Sequence, residues 1–546
     1  MKQLLHTPDG VRDIYGKDYS RKLELENKIH EIFIDNGYED IQTPSFEYFD
    51  LFSGNIGTTD TRGLYKFSDN DGQTMVLRSD FTPSIARCAA KYFLEDAKTL
   101  RLTYKGNTFI NAADLQGKLK ETTQMGIELI GEDGVASDFE IIRLAADTLK
   151  SSGLRNFKLS IGNAEFFKGL CEECEIDNES EMILRKFISN KNFFAALDYM
   201  KENDFSAEII DRIMAVNDLV GSEDMLKEAY SLVENKRSKK ALDGLCSVYS
   251  SLKEAGLSEY VFFDMTMLSK YQYYTGIIFN GYALGNGEAI VKGGRYNNLL
   301  GQFGKDAPAI GFVVMTDNLL SALSKQETNS EDSEYLTFAL GKGRLANKTL
   351  ELLESIGITC EEMKDKDTRK LIFVNEELKL KFFLAKGPDV PTYVEYGAAD
   401  IGVVGKDTIM EEGRRVYEVL DLGFGKCRMC VCGPKEAKEL LKHHEMIRVC
   451  SKYPVIAKDY FYNRKHQTVD IIKLNGSVEL GPIVKLGDVI VDIVETGSTL
   501  RENGLEVLEE ICDLSARMIV NQVSMQMQGD RIRSLIRQLK NKLEEK

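Results

Sequence analysis

Val489-Ile-Val-Asp492-Ile-Val-Glu495-Thr496-Gly497-Ser498-Thr499-Leu500 is an apolar, β-branched run carrying one acid, followed by a small, hydroxyl-rich turn. The run from Val489 to Val494 predicts a buried strand. Beyond the turn the spacing predicts an amphipathic helix with Leu505, Leu508 and Ile511 on one stripe. Strand, turn and helix start together predict an anion cradle. First-turn amides and the positive end of the helix dipole face the anion, and the hydroxyls add donors. Gly497 lets the backbone approach closely, and Asp492 and Glu495 suit a sugar diol, since a carboxylate accepts from both hydroxyls. The guest this implies is a phosphorylated ribose.

At 546 residues the chain has room for roughly two to four domains, each burying its own core. Hydrophobic content of 43% and charged content of 29% are those of a soluble globular protein. No apolar run approaches the ~18 residues of a membrane helix, and Met1-Lys-Gln-Leu-Leu-His-Thr-Pro lacks the apolar centre of a signal peptide. A cytoplasmic protein without a membrane partner is expected. The net charge of -16 argues against broad nucleic-acid binding. The ten cysteines lie in apolar segments and read as buried thiols. Cys171-x-x-Cys174 has no second ligand pair, and Cys427, Cys430 and Cys432 lie in a strand-like run that divides them between faces. No protein-held metal site is expected from either.

Taken from its start, the chain predicts a helix with Leu25, Ile29, Ile32 and Phe33 on one face, stopped by Asn36-Gly37. Short strands then recur without strict βαβ alternation, which predicts an antiparallel α+β sheet. About 179–256 is charge-rich and helical in pattern, a helical insertion. The stretch Ser324-Lys-Gln-Glu-Thr-Asn-Ser-Glu-Asp-Ser-Glu334 has no large apolar side chain and reads as a linker. It divides a domain at 1–323 from one at 335–546, where strands and helices alternate as in α/β lobes. Lobe I is expected at about 335–425 with a C-terminal return, and lobe II at about 426–515.

Several motifs of the second half serve one task. Leu340-Gly-Lys342-Gly343-Arg344 is a strand-to-helix turn with two cations framed by glycine. Gly397-Ala-Ala-Asp400-Ile-Gly-Val-Val-Gly405-Lys406-Asp407 enters a buried strand that ends in Gly-Lys-Asp, and Ile471-Ile-Lys473-Leu-Asn475-Gly-Ser477 is a further strand and polar turn. In this order, and with the Glu495–Leu500 loop, Leu336 to Val520 resembles the short-form catalytic subunit of ATP phosphoribosyltransferase, the first enzyme of histidine biosynthesis. The resemblance implies a two-lobed, periplasmic-binding-protein-like transferase with its site in the cleft. It implies attack of adenine N1 of ATP on the anomeric carbon of 5-phosphoribosyl 1-diphosphate, with Mg²⁺ assisting the departure of diphosphate. Asp492 and Glu495 through Leu500 are then expected to hold the phosphoribosyl group. Lys342, Arg344, Arg369 and Lys386 (an arginine in many relatives) are expected on the phosphates, and Asp400, Gly405, Lys406, Lys473, Asn475 and Ser477 around ATP. The short form lacks a C-terminal regulatory domain, and Gly529–Lys546 reads as a helical tail.

The first half resembles histidyl-tRNA synthetase over about Thr7 to Leu323. The stretches that carry this are Leu77-Arg78-Ser-Asp80-Phe-Thr82-Pro, Thr123-Gln124-Met-Gly-Ile-Glu128, Tyr273-Tyr274-Thr-Gly276 and Gly293-Gly-Arg295-Tyr. The departures decide the activity. Ile110, Asn318 and Ser269 stand where the synthetase pattern has arginines, and its anticodon-binding domain is replaced by the transferase. Loss of these cations leaves little to stabilise adenylate formation. The pattern is that of the regulatory subunit of short-form ATP phosphoribosyltransferase, a class II synthetase-like antiparallel sheet domain without a tRNA partner. It implies a pocket for L-histidine as inhibitor, with Asp80 and Thr82 at the ammonium and Gln124, Glu128, Tyr273 and Tyr274 beside the side chain. Fusion of the two subunits implies a homotetramer. The rival readings are an active synthetase and a non-catalytic sensor of nucleotides or phosphates.

Overall fold

The computed structural model describes residues 5–53, 59–93, 99–112, 117–268, 274–328, 334–364, 370–442 and 446–545. The chain divides into two compact units, Met1–Ser330 and Glu331–Lys546. Residues 324–328, expected in a linker, instead extend the helix Thr316–Thr328. Polarity misled here because the helix has only one face to bury: Leu319 and Ala322 pack into the core while its end stays wet.

The first unit is built on a nine-stranded sheet. Its middle is antiparallel, in the order Leu100–Phe109, Glu121–Ile130, Ala309–Met315, Val291–Arg295, Ile277–Ala283 and Phe157–Asn163. Parallel pairs flank it, made by Glu39–Asp40 on one side and Val261–Asp264 on the other. The first helix runs Gly16–Asp35, with Leu25, Ile29 and Phe33 buried, and Gly37 leaves it at φ 80°. The expected insertion is five helices from Asn178 to Glu254, interrupted by Val220–Gly221, which pairs with the sheet strand Val261–Asp264. It shares the main core of the unit.

The helices are also tied to the sheet by a buried ion pair. Lys191 Nζ stands 2.9 Å from both oxygens of the fully buried Asp264 and also bonds the Thr266 hydroxyl.

The second unit has two sheets, each the centre of a lobe. The first lobe has the order Ile372–Asn375, Leu380–Ala385, Leu336–Gly341, Ile401–Gly405, Ala516–Val520, Tyr417–Asp421. Its three inner strands from Leu380–Ala385 to Ile401–Gly405 are parallel, and the return strand Ala516–Val520 is antiparallel to its neighbours. The C-terminal helix Gly529–Glu544 covers this lobe through Ile532, Leu535 and Leu539. The second lobe has the order Val469–Lys473, Ile447–Ser451, Val489–Val494, Cys427–Gly433, Glu506–Leu514, with the first three parallel.

One expectation fails here for a geometric reason. Leu505, Leu508 and Ile511 are buried as foreseen, yet they do not lie on a helix. The helix after the turn spans only Ser498–Glu502, Gly504 turns the chain at φ 70°, and Glu506–Leu514 is a strand. Pairing with Cys427–Gly433 jumps from Met429–Cys512 to Cys430–Glu510 and from Val431–Glu509 to Cys432–Val507. Each jump sets two residues against one, so Ile511 and Leu508 are bulge residues and burial repeats every third position. A doubly bulged strand therefore imitates helical spacing.

Replacing Lys191 with methionine leaves the Asp264 carboxylate buried without its cation. Urea unfolding of Lys191→Met is expected to show a loss of about 3–5 kcal/mol; an unchanged midpoint would mean that the pair contributes nothing.

Candidate functional site

Parallel strands end together, and this positions most of the expected site in the second unit. In the first lobe Gly341 stands opposite Ala385 and Leu340 opposite Val403. Lys342 donates its amide to Ala385 O at 2.8 Å, so Lys342, Lys386 and the Gly405-Lys406 turn leave from one edge. Gly343, at φ 110°, starts the helix Arg344–Glu354 there. In the second lobe Ser451 stands opposite both Lys473 and Val491. The same register brings Lys473, Asn475 and Ser477 to the edge that carries Asp492 and the Glu495–Leu500 loop. Ligands of open α/β sheets are held outside such strand ends.

The two edges meet. Arg344 reaches over the gap between lobes, its Nη2 3.3 Å from both oxygens of Glu495. Within the loop Gly497 adopts φ 71°, which favours glycine, and the Thr496 and Ser498 hydroxyls lie 3.0 Å apart. Leu500 is buried beside Val494, Leu505 and Cys450. It anchors the loop and offers a ligand its backbone only. Thr496, Ser498 and Thr499 are exposed. Burial pushes the Asp492 carboxyl above its ordinary value, with Glu479 adding to this and Lys452 opposing it.

Asp400 does not belong to this group. It precedes the strand Ile401–Gly405 and lies at the opposite end of the parallel strands. Its carboxylate accepts from Thr337 N at 2.7 Å and from the Ser524 hydroxyl at 2.5 Å. A strand of this length places it ~17 Å from the cationic edge. Arg369 lies outside the described residues.

Lys452 escaped the sequence reading, which takes Asp407 only as the end of a motif, without a role. Lys452 follows Ser451 at the tip of its strand and acts electrostatically on Asp492 and on Asp407 of the first lobe. Asp407 is itself pushed up by burial. The signal for Lys452 was a strand ending in Ser-Lys, the counterpart of Leu340-Gly-Lys342 in the first lobe.

In the first unit Thr82 Oγ1 donates to Glu128 Oε1 at 2.8 Å, and the Tyr296 hydroxyl donates to the other oxygen. Burial pushes Glu128 up to about 8, Asp80 adding to this and the two hydroxyls opposing it. Gln124, Gly126 and Glu128 share one face of their strand, opposite Met315, Val313 and Gly311. A Cβ at Gly311 would lie 1.8 Å from Glu128 Oε2, and one at Gly294 would lie 2.5 Å from the Tyr274 ring. The Glu128 carboxyl and the Tyr274 ring fill the space a Cβ would take at these glycines, and Thr82 and Tyr296 bond the same carboxyl. Gln124 Oε1 is buried without a hydrogen-bond partner. Asp80, Thr82, Glu128 and Tyr274 are thus near one another, Gln124 lies four residues along the same strand, and Ser269 and Tyr273 lie outside the described residues. Tyr296 was present in the Gly-Gly-Arg-Tyr motif, but its part in holding Glu128 needed the fold. Asn318 Nδ2 donates to Ala289 O at 3.2 Å, and Ile110 is exposed.

The family model for histidyl-tRNA synthetase matches residues 10–319, and that for ATP phosphoribosyltransferase matches residues 386–541. An ATP phosphoribosyltransferase of Lachnoclostridium phytofermentans is 74% identical over 212 residues, 39% of this chain and 99% of that protein. An ATP phosphoribosyltransferase regulatory subunit of Clostridium botulinum is 34% identical over 384 residues, 69% of this chain and 91% of that protein. Among solved structures, an ATP phosphoribosyltransferase regulatory subunit/histidyl-tRNA synthetase from Bacillus halodurans superposes with a TM-score of 0.56 at 29% identity, covering 70% of this chain and 99% of that one. The first unit is therefore a class II synthetase-like domain and the second a phosphoribosyltransferase. The chain belongs to the ATP phosphoribosyltransferase family, with both kinds of relative joined in one polypeptide. No helix among the described residues is long and apolar enough to cross a membrane.

Removing the Asp400 carboxylate orphans the Thr337 amide and the Ser524 hydroxyl. Asp400→Ala is expected to lose about 1–3 kcal/mol of unfolding free energy while keeping the wild-type Michaelis constant for ATP; a raised constant at full stability would return Asp400 to the substrate site.

Proposed function

We propose that the cleft of the second unit joins ATP to 5-phosphoribosyl 1-diphosphate, as the first step of histidine biosynthesis. The observation that carries this reading is the meeting of the Lys342-Gly343-Arg344 turn with the Glu495–Leu500 loop across the gap. Adenine N1 forms a bond to the anomeric carbon as the bond from that carbon to diphosphate oxygen breaks, and diphosphate leaves with the electron pair. Adenine N1 is unprotonated at neutral pH, so the reaction needs no base. The work of the protein is alignment and charge stabilisation.

The loop from Glu495 to Leu500 receives the 5-phosphate on first-turn amides and on the Thr496, Ser498 and Thr499 hydroxyls. Asp492 and Glu495 take the ribose hydroxyls, which requires Arg344 to release Glu495. Arg344 then joins Lys342, Lys386 and Arg369 on diphosphate and on the phosphates of ATP. Lys386 supplies charge without the two-pronged geometry of arginine. Gly405, Lys406, Lys473, Asn475 and Ser477 line the approach for ATP. The donor set fits magnesium, because an ion carried on diphosphate needs only one or two carboxylate ligands, and Asp492 and Glu495 stand at that rim. When bound, the ion neutralises charge on the leaving group.

In the first unit the polar cluster around Glu128 is read as the effector site for L-histidine. A neutral Glu128 carboxyl beside Thr82 and Tyr296 offers a hydrogen bond to an imidazole nitrogen, Gln124 Oε1 offers an acceptor, and Asp80 meets the ammonium. Binding there acts on the transferase by favouring one arrangement of an oligomer, a coupling between separate sites. A tetramer of fused chains and a cytoplasmic setting complete the reading. The exposed Phe46, Tyr48 and Phe67 on the small sheet of Phe46–Tyr48, Lys66–Ser68 and Thr74–Leu77 supply an apolar face for dimerisation.

Formation of phosphoribosyl-ATP from the two substrates and Mg²⁺ tests both parts. Turnover suppressed by L-histidine, with suppression lost in Glu128→Gln, is expected. Turnover indifferent to histidine would remove the effector role, and no turnover in folded, metal-replete protein would remove the catalytic one.

A further inference from the structure

Among the contacts of the described residues that cross the gap between the lobes of the second unit, two polar ones differ in kind. The Arg344–Glu495 pair is 64% and 55% exposed, and both of its members are assigned to substrate. It must open in each catalytic cycle. The other contact is made by Glu411, in the helix Lys406–Glu412 of the first lobe. Its carboxylate accepts from Val455 N at 3.2 and 3.1 Å and from Ile456 N at 3.2 Å, both in the second lobe.

These amides open the helix Pro454–Lys458. Its N-cap position is Tyr453, which makes no side-chain cap bond, and Pro454 has no N–H. A helix start normally satisfies its first amides with a neighbouring Ser, Thr, Asp or Asn. Here the sequence supplies no such neighbour, and a carboxylate from the other lobe does the capping, with the helix dipole adding to the attraction. Burial raises the Glu411 carboxyl, while the two amides and Lys473 hold it down.

The capped turn leads straight to the site. Ser451 Oγ donates to Val491 O at 2.7 Å and accepts from Tyr453 N at 2.8 Å, which pins Lys452 between the strand tip and the helix. Ser451 stands opposite Val491, and Lys452, the next residue, acts electrostatically on Asp492. At the other end of the connection, the helix carrying Glu411 begins at Lys406, whose amide donates to Ser515 O at 3.0 Å where the chain returns between lobes. One carboxylate therefore links the cationic edge of the first lobe to the ribose edge of the second.

The geometry points to Glu411 as a positioning residue for the transfer reaction, capping a helix of the opposite lobe and thereby fixing Lys452 and Asp492 relative to the Lys342–Arg344 turn. This rests on the transferase reading of the cleft. One side of the gap exchanges partners with substrate, and the Glu411 side keeps its partners throughout, so that the lobes close to the same register each time.

The test uses the full chain as Glu411→Ala and Glu411→Gln, the latter keeping one carbonyl acceptor. For Glu411→Ala, kcat/KM for 5-phosphoribosyl 1-diphosphate is expected to fall about tenfold or more with a raised Michaelis constant, and Glu411→Gln to recover most of it. Amide exchange at Val455 and Ile456 is expected to accelerate in Glu411→Ala, with the strand Ile447–Ser451 unchanged. Michaelis constants kept at wild-type values, with kcat lost only in proportion to unfolded protein, would overturn the proposal, as would unaltered exchange at the two amides. Should Glu411→Ala not fold, Glu411→Gln is read by the same two criteria. The exchange measurement needs no turnover, so a wild-type chain without activity would sink the transferase reading while the cap is still decided.

Discussion

Parallel pairing forces strand ends to coincide, and the transferase unit depends on that constraint twice. Gly341 beside Ala385 and Ser451 beside Lys473 and Val491 fix where each chain segment leaves its sheet. Lysines on the first edge and a hydroxyl-rich loop with acids on the second are then brought to the same gap. The site exists because two sheets present their carboxyl ends to each other, and the cross-gap bonds of Arg344 and Glu411 are the visible marks of that arrangement.

The two units differ in the charged groups they gather. The transferase cleft gathers exposed cations, suited to diphosphate. The synthetase-like unit gathers a buried carboxyl and two hydroxyls around Glu128. The cluster depends on a glycine as well as on polar groups, since a side chain at Gly311 would run into Glu128.

What the sequence made legible were the local motifs. The Val489–Val494 strand, the glycine turn at 497 and the Lys-Gly-Arg turn each carry their geometry within a few residues. What it hid depended on pairing between distant segments. Leu505, Leu508 and Ile511 read as a helical stripe because two bulges against Cys427–Gly433 stretch the burial repeat to three. Asp400 lies close in sequence to Gly405 and Lys406 but at the other end of the strand, which period and composition do not reveal. Lys452, Asp407 and Glu411 gain their meaning only across the gap. The polar stretch after Leu323 looked like linker because a helix wet on one side has a linker's composition.

A double-mutant cycle on kcat/KM tests most directly whether both edges grip one transition state, using Lys342→Ala from the first lobe and Ser498→Ala from the second. Groups that share a substrate and act together are expected to deviate from additivity by about 0.5–3 kcal/mol. Strict additivity of the two effects would contradict a single site assembled from both lobes.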